Sequence, residues 1–212
     1  QLEKMKEIQL DLGVLLNISP DHIDHHGNFA EYKRAKNRIK ESKKVTQESD
    51  PIKLWSMITG KPQRAVQDIQ LKDLPHRCQH ITTHNQMVFI NDSKATNLTA
   101  LKFALKKMSS AYVLILCGDP DKEQYESCKI IGPKKVYIFG NHAEEISRKI
   151  FHPEKIVFNN KGLSSVIRAI LKETYDSPTQ ILFSPGHPSG QDYKNFEERG
   201  DHFIKLVMSL NV

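Results

Sequence analysis

Short polar side chains gather where an apolar run passes into a helical pattern, in the stretch FINDSKATNLTALKFAL from residue 89 to 105. The junction holds Asn91, Asp92, Ser93, Lys94, Thr96 and Asn97. Asn and Asp are common helix caps, so Asn91 or Asp92 could simply cap the following helix. A cap does not account for Lys94, because a cation is disfavoured near the positive N-terminal end of a helix dipole. Lys94 therefore indicates that an anion is held at this point.

Polar clusters also follow other apolar runs, at Gly118, Asp119 and Lys122 in CGDPDKE and from Ser184 to Ser189 in SPGHPSGQD. Either cluster could be only a turn or a flexible loop, since Gly, Asp and Pro dominate turns. In an open α/β sheet, however, ligands bind beyond the carboxyl ends of the strands. We therefore expect the clusters to converge on one edge of a sheet and to form a binding site there.

Apolar strand-like runs alternate with helical segments in the second part of the chain. We predict strands in NQMVFIND (85–92), AYVLILCG (111–118), KKVYIFG (134–140), EKIVFN (154–159) and QILFSPG (180–186), and helices in ATNLTALKFALKKM, HAEEISRKIF, LSSVIRAILKETY and KNFEERGDHFIKLVMSL. This alternation predicts an α/β domain over residues 79–212, with a mostly parallel sheet covered by helices.

The first part of the chain, residues 1–78, is less self-sufficient. We predict one buried strand at 11–19, one helix at 28–44, and short helices around IKLWSMI and RAVQDIQ. So few elements form a poor core by themselves. We expect this part either to pack on the second domain or to lack the elements that would complete it.

Composition narrows the class of protein. The net charge is +6, but the Lys and Arg residues are spread along the chain with acidic residues between them. This spread favours a solvated helix face over a nucleic-acid surface, and it is compatible with a small anionic ligand. No apolar run approaches the roughly 20 residues of a membrane span. We predict a cytoplasmic monomer with reduced cysteines and with no nucleic-acid or membrane partner.

Two other interpretations have weaker support. A dinucleotide-binding dehydrogenase would share the α/β alternation, but no G-x-G-x-x-G motif follows any predicted strand. His22, His25 and His26 could suggest a transition-metal site. Histidines clustered at a strand-to-helix junction are more often part of a loop, and we expect His25 and His26 to be surface residues.

The motifs resemble a known family. NDSKATN, CGDPDK and SPGHPSGQDYKNFEERG closely resemble the C-terminal domain of the Mur ligases, LLNISPDHIDHHGNFAEYKRAKNRI resembles part of their central ATPase domain, and LPHRCQ resembles the link between the two. Residues 41–70 match only loosely. The match is to the D-glutamate-adding members, since diaminopimelate- or lysine-adding members resemble D-N-P-R where DSKATN stands here. The resemblance implies a Rossmann-like C-terminal domain preceded by a partial α/β central ATP-binding domain.

The resemblance also implies roles for single residues. His22 and Lys36 would hold Mg²⁺, with Lys36 carbamylated, because a carbamate oxygen suits this ion where an ammonium does not. Arg77 would contact the phosphates of ATP, and Asp92 its ribose. The pocket for D-glutamate would be formed by Lys94, Thr96, Lys122, Ser189 and Phe196. Cations and hydroxyl donors of this kind suit the two carboxylates of D-glutamate.

The implied reaction is the ATP-dependent addition of D-glutamate to UDP-N-acetylmuramoyl-L-alanine in peptidoglycan precursor synthesis. The chain has no G-x-x-x-x-G-K-[ST] phosphate loop. It also has no match to the family's metal-binding glutamate or to its adenine-holding asparagine motif, and the spacing from Lys36 to Arg77 is short for the family. We therefore expect a C-terminal fragment or degenerate copy that does not ligate D-glutamate alone. The alternatives are a binding module for D-glutamate or a nucleotide, and a purely structural remnant.

Overall fold

The computed structural model describes residues 9–16, 18, 27–66, 68–69, 74–108, 111–122 and 127–211, with the side chains of Lys122 and Asn211 outside that description. The chain divides into two compact units, residues 1–72 and residues 73–212. The sequence predicts the boundary a few residues later, at 78/79, where the first strand of the main sheet begins with Gln79.

A six-stranded sheet forms the centre of the second unit. Its strands are β3 (Gln79–His84), β4 (Met87–Asn91), β5 (Tyr112–Cys117), β7 (Lys135–Gly140), β9 (Lys155–Asn159) and β10 (Thr179–Gly186). The spatial order is β3-β4-β10-β5-β7-β9. All neighbours pair in parallel except β3 and β4, which form an antiparallel hairpin. This arrangement confirms the prediction of a mostly parallel sheet.

Helices cover both faces of this sheet. They are α3 (Leu98–Lys107), α4 (Ala143–Lys149), α5 (Leu163–Ile170) and α6 (Phe196–Met208). Alternate residues of the central strands separate into two buried clusters, one including residues of α5 and α6 and the other residues of α3 and α4. Strands buried on both faces read as continuous apolar runs. All residues of β5 are accordingly buried.

Several short strands escaped sequence-based prediction. β6 (Cys128–Lys129) and β8 (Ile150–Phe151) form a separate parallel pair. β3 is joined to β4 through Asn85 and Gln86, both at positive φ. Positive φ at both loop residues is the geometry of a type I′ hairpin, and Asn is one of the residues that tolerate it. Asn85 was therefore the available signal for this hairpin.

The first unit contains β1 (Leu12–Val14), α1 (Phe29–Asn37), β2 (Lys44–Thr46) and α2 (Pro51–Thr59), with 3-10 turns at Arg38–Glu41 and Gln63–Ala65. β1 and β2 pair in parallel. The predicted helix at 28–44 is too long, because the α-helix ends at Asn37 and the last predicted residue, Lys44, is the first residue of β2. The predicted strand at 11–19 is likewise longer than β1. Among the described residues of this unit, only Gly13 and Tyr32 are buried, which agrees with the expectation of a poor core.

The cysteines are unpaired thiols, with Cys117 and Cys128 buried and Cys78 half-buried. This agrees with the prediction of reduced cysteines. In the portion of the chain that is described, we find no helix that combines the length and the apolar character needed to cross a membrane.

Candidate functional site

The polar junction after β4, residues 91–97 and called the corner below, is held in place by backbone hydrogen bonds. The amide of Asp92 donates to the carbonyl of Phe183 on β10, 2.8 Å away, and the amide of Ala95 donates back to the Asp92 carbonyl. The Ala95 carbonyl in turn accepts from the amide of Gly186, at the end of β10. Because β4 and β10 are parallel neighbours, their carboxyl ends meet here, and the corner is tied to the end of β10 at both of its sides.

Asp92 is almost fully buried, with 7% of its surface exposed. One carboxylate oxygen accepts from the Cys78 amide at 3.0 Å, and the other accepts from the Ser184 hydroxyl at 2.7 Å. Burial raises the pKa of this carboxyl, although both hydrogen bonds oppose the rise. In this conformation the Asp92 side chain links the corner to the segment just before β3 and to β10. The predicted contact of Asp92 with ribose stays a prediction.

Asn91 is fully buried and fills the space beneath the corner. Its amide nitrogen donates to the Gly200 carbonyl at 3.1 Å and lies 3.0 Å from Nδ1 of His76, while its oxygen accepts from the Ser93 amide. His76 packs so closely against Gly200 that a methyl group on the Gly200 Cα would overlap the imidazole ring. Asn91 thus connects the corner to α6 and to the segment before β3.

Neither Asn91 nor Asp92 caps the following helix. The cap of α3 is Asn97, whose side chain accepts from the Ala100 amide at 2.8 Å. Asn91 and Asp92 lie before that helix and hold the corner instead. The alternative that Asn91 or Asp92 simply caps the helix is therefore wrong, because α3 begins only at Leu98.

Lys94 is exposed at the tip of the corner, and its ammonium lies over the ring of Phe196 at 4.4 Å from the ring centroid. Phe196 is the first residue of α6, whose start is fixed by Asn195 accepting from the Glu198 amide. The structure therefore brings these two predicted pocket residues into direct contact. A cation over an aromatic face is attracted by the ring quadrupole, worth about 0.5–1 kcal/mol at an exposed site.

The loop after β10 carries Ser189, which is buried with 8% of its surface exposed. This loop meets the loop after β5, because the Asp119 amide donates to the Pro188 carbonyl at 2.9 Å. Gly118, at φ 111°, allows the approach, since a Cβ there would overlap the same carbonyl. The loops after β4, β10 and β5 thus share one edge of the sheet, as expected from the sequence.

The remaining predicted pocket residues lie on these loops. Thr96 is half-buried, and its amide donates to the Lys94 carbonyl at 2.9 Å. Lys122 ends a 3-10 turn, Pro120–Lys122, after β5, and its side chain is outside the described atoms. Arg77, the predicted phosphate contact, is exposed just before β3.

The predicted metal ligands are in the first unit. His22 lies outside the described residues. Lys36 is exposed on α1, with its ammonium 5.4 Å from the centroid of the Tyr32 ring. An ammonium over an aromatic ring is no ligand for Mg²⁺, which takes oxygen. Lys36 in this form does not fit the ion, and a fit would require the carbamate. An open groove of about 470 Å³ along the same helix is lined by other residues, namely Ala30, Lys33, Arg34, Asn37, Arg38 and Glu41.

A different set of potential cation ligands comes together among the described residues of the second unit. Asp119, Asp121 and His142 each place a ligand atom within 4.8 Å of the others. Asp121 is exposed and the other two are half-buried. Exposed carboxylates often cluster in this way without an ion, so we assign no metal to them.

Sequence-based prediction assigned no individual role to three residues that are buried behind the corner. They are Ser93, His187 and Arg199, none of which exposes any surface. Burial, with smaller contributions from the Arg199 and Lys149 cations, lowers the pKa of His187 to about 4, and the hydrogen bond from its Nδ1 to the Pro185 carbonyl opposes this shift. A usable signal was the position of Arg199 one helical turn after Phe196, on the face of α6 that also carries Phe203.

Comparison with known proteins agrees with this architecture. Residues 1–73 match the Mur ligase middle domain. The UDP-N-acetylmuramoylalanine--D-glutamate ligase of Caldanaerobacter subterraneus is 26% identical over 283 aligned residues, which cover 99% of this chain and 62% of the relative. The chain is thus similar to Mur ligases over nearly its whole length. The ligase of the same name from Trichodesmium erythraeum is 37% identical over 148 residues, covering 65% of this chain and 31% of that protein.

The chain spans about three-fifths of the relatives that match it from end to end, at 62–63% of their length. The 283 aligned positions exceed the 212 residues of the chain, so the alignment requires gaps in it. Among solved structures, the MurF ligase from Thermotoga maritima in complex with ADP superposes with a TM-score of 0.58 at 12% identity, covering 95% of this chain and 63% of that one. This likeness supports the α/β fold.

Proposed function

We propose that this chain carries the amino-acid site of an ATP-dependent ligase that adds D-glutamate to UDP-N-acetylmuramoyl-L-alanine in peptidoglycan precursor synthesis. The observation that carries the proposal is the Lys94 ammonium held against Phe196 at the carboxyl edge of the sheet. The names of the full-length relatives, which are UDP-N-acetylmuramoylalanine--D-glutamate ligases, support the choice of D-glutamate.

The residues at this edge suit a dicarboxylic amino acid. Lys94 supplies a cation that the aromatic ring orients without neutralising it. The Thr96 hydroxyl belongs to the same corner as Lys94, the Ser189 hydroxyl belongs to the loop after β10, and Lys122 belongs to the loop after β5. Charge-assisted hydrogen bonds to carboxylates are about twice as strong as neutral ones. We assign the carboxylates of D-glutamate to these four residues, so that its amine stays free to react.

The proposed reaction has two steps. The muramoyl-L-alanine carboxylate attacks the γ-phosphorus of ATP and displaces ADP, giving an acyl phosphate. The amine of D-glutamate then attacks the acyl carbon, phosphate leaves, and the amine loses a proton as the amide forms. Such phosphoryl transfer depends mainly on positioning and on neutralisation of charge. Exposed Arg77 is the proposed contact to the phosphates of ATP. The solved MurF ligase was crystallised with ADP, which supports nucleotide use in the fold.

This chain supplies only part of that machinery. Its 212 residues contain no glycine-rich phosphate loop of the G-x-x-x-x-G-K-[ST] type. We therefore expect no phosphate release from the purified protein given magnesium, ATP, UDP-N-acetylmuramoyl-L-alanine and D-glutamate. Phosphate release that depends on all the substrates would show that the chain is a complete ligase.

A second candidate function is a binding module without catalysis. It is favoured by the intact corner after β4 and the absence of the phosphate loop from the same chain. Calorimetric titration with D-glutamate, repeated on Lys122→Ala, separates this module from a structural remnant. A binding module gives heat that the Lys122→Ala change weakens, whereas no heat with the unmodified protein would indicate a remnant.

A further inference from the structure

Arg199 is a fully buried cation at the back of the candidate site. Its Nε donates to the Ser93 hydroxyl at 3.0 Å and its Nη2 to the Ser93 carbonyl at 2.9 Å. Its Nη1 donates to the His187 carbonyl at 3.0 Å. Every nitrogen of the guanidinium is therefore engaged, and all of these acceptors are uncharged oxygens in the two loops that border the site.

These contacts join the separate walls of the proposed pocket. Ser93 lies between Asp92 and Lys94, and His187 lies two residues before Ser189. The Ser93 hydroxyl donates onward to the Phe196 carbonyl at 2.9 Å, one turn before Arg199 on α6. The guanidinium thus sits at the junction of the Lys94 corner, the Ser189 loop and the helix that carries Phe196.

Joining two loops through a buried cation carries a large desolvation cost. Burial lowers the pKa of Arg199, which measures the cost of keeping the charge away from water. Packed apolar side chains often replace buried charges without loss of stability. The planar fork of arginine, however, fixes the direction of each hydrogen bond, which an apolar side chain or a lysine does not. What the fork adds here is a fixed distance between the two loops.

We propose that Arg199 is a positioning residue that sets the separation between Lys94 and Ser189, and with it the selectivity of the pocket for an amino acid with two carboxylates. This rests on the proposed function. Arg199 has no surface through which to touch a ligand itself. It acts through Ser93 on the corner and through the His187 carbonyl on the loop after β10.

The test measures a selectivity ratio. D-Glutamate and D-norvaline, which lacks the side-chain carboxylate, are titrated into the unmodified protein, Arg199→Met and Arg199→Lys. We expect Arg199→Met to lower the preference for D-glutamate about tenfold, the equivalent of about one lost hydrogen bond to a charged group. Arg199→Lys should recover part of it. Arg168→Met, at an exposed arginine of α5, is the matched control and should leave the ratio unchanged.

The ratio separates positioning from simple unfolding, because a smaller folded fraction weakens both ligands equally. An unchanged ratio in Arg199→Met would overturn the proposal. Should Arg199→Met fail to fold, Ser93→Ala removes the hydroxyl that Nε contacts, and a smaller loss of preference is expected there. No change in Ser93→Ala would then count against the proposal.

Amide hydrogen exchange tests the positioning without any ligand. Exchange at residues 93–96 and 187–190 should become faster together in Arg199→Met, while β5 and β7 stay protected. If the unmodified protein does not bind D-glutamate, the proposed function fails. The exchange result then still decides whether Arg199 fixes both loops, and unchanged exchange would show that it does not.

Discussion

At the scale of single residues, the polar side chains of the corner divide into two groups with different tasks. Asn91, Asp92 and Ser93 are buried and hydrogen-bonded to neighbouring segments. Lys94 is exposed and lies against an aromatic ring. The sequence correctly indicates a special corner here. It does not indicate which residues support the corner and which face a ligand, because this depends on α6, more than 100 residues later in the chain.

His187 makes the stability of the second unit depend on pH. The buried imidazole stays neutral down to its pKa of about 4, whereas the unfolded chain gains a proton below the ordinary value of 6.5. The unfolded state therefore binds more protons between these values, and stability falls as the pH drops from 6.5 to 4. The loss approaches about 3 kcal/mol.

Urea denaturation of the unmodified protein and of His187→Gln between pH 4 and 7 measures this effect. We expect the substitution to flatten the pH profile of the unfolding free energy in that range. His80→Gln, at an exposed position, serves as the control and should keep the original slope. A His187→Gln profile parallel to that of the unmodified protein would contradict the assignment.

At the scale of elements, the strands and helices of the second unit follow from hydrophobic pattern. β5, β7 and β10 each contain an apolar run buried on both faces, and α5 places its buried residues on one helical face. The pattern does not extend to β2 and β3. β2 lies in a basic run with no buried residue, and β3 has His and Thr side chains, so its pairing with β4 depends on the Asn85 turn.

The identity of the α3 cap can be tested by comparing two asparagines. Asn97→Ala removes one cap and should lower the unfolding free energy by about 1 kcal/mol. Asn91→Ala leaves the Gly200 carbonyl and the Ser93 amide without their buried partner and should cost about 3 kcal/mol. Denaturant titration measures both values. Equal losses, or a larger loss for Asn97→Ala, would show that the corner is held differently.

At the scale of the whole molecule, the two units differ in how much they bury. The second unit has buried clusters on both faces of its sheet, whereas the described part of the first unit buries only Gly13 and Tyr32. Sequence composition predicts this asymmetry because the apolar runs concentrate after residue 79. The similarity to Mur ligases is found from motifs and matched relatives, and it could not be obtained from the fold alone.

The asymmetry predicts independent folding of the second unit. Residues 73–212 expressed alone should unfold cooperatively, with a melting temperature within about 5 °C of the full chain. Residues 1–72 alone should show no cooperative transition, because the described part of this unit buries too few residues to offset the conformational entropy of the chain. Differential scanning calorimetry of the two segments checks both statements. A cooperative transition in residues 1–72 would contradict the second.

The measurement that tests the account most directly is calorimetric titration of D-glutamate into the unmodified protein, Lys94→Ala and Lys107→Ala. Lys107 is the matched control, since its ammonium also lies over a ring, 4.9 Å from the centroid of Phe103 on α3. We expect binding that Lys94→Ala weakens at least about tenfold, because a lost charge-assisted contact costs about 1.5–3 kcal/mol, and that Lys107→Ala leaves unchanged. Absence of binding to the unmodified protein, or equal binding by both variants, would contradict it.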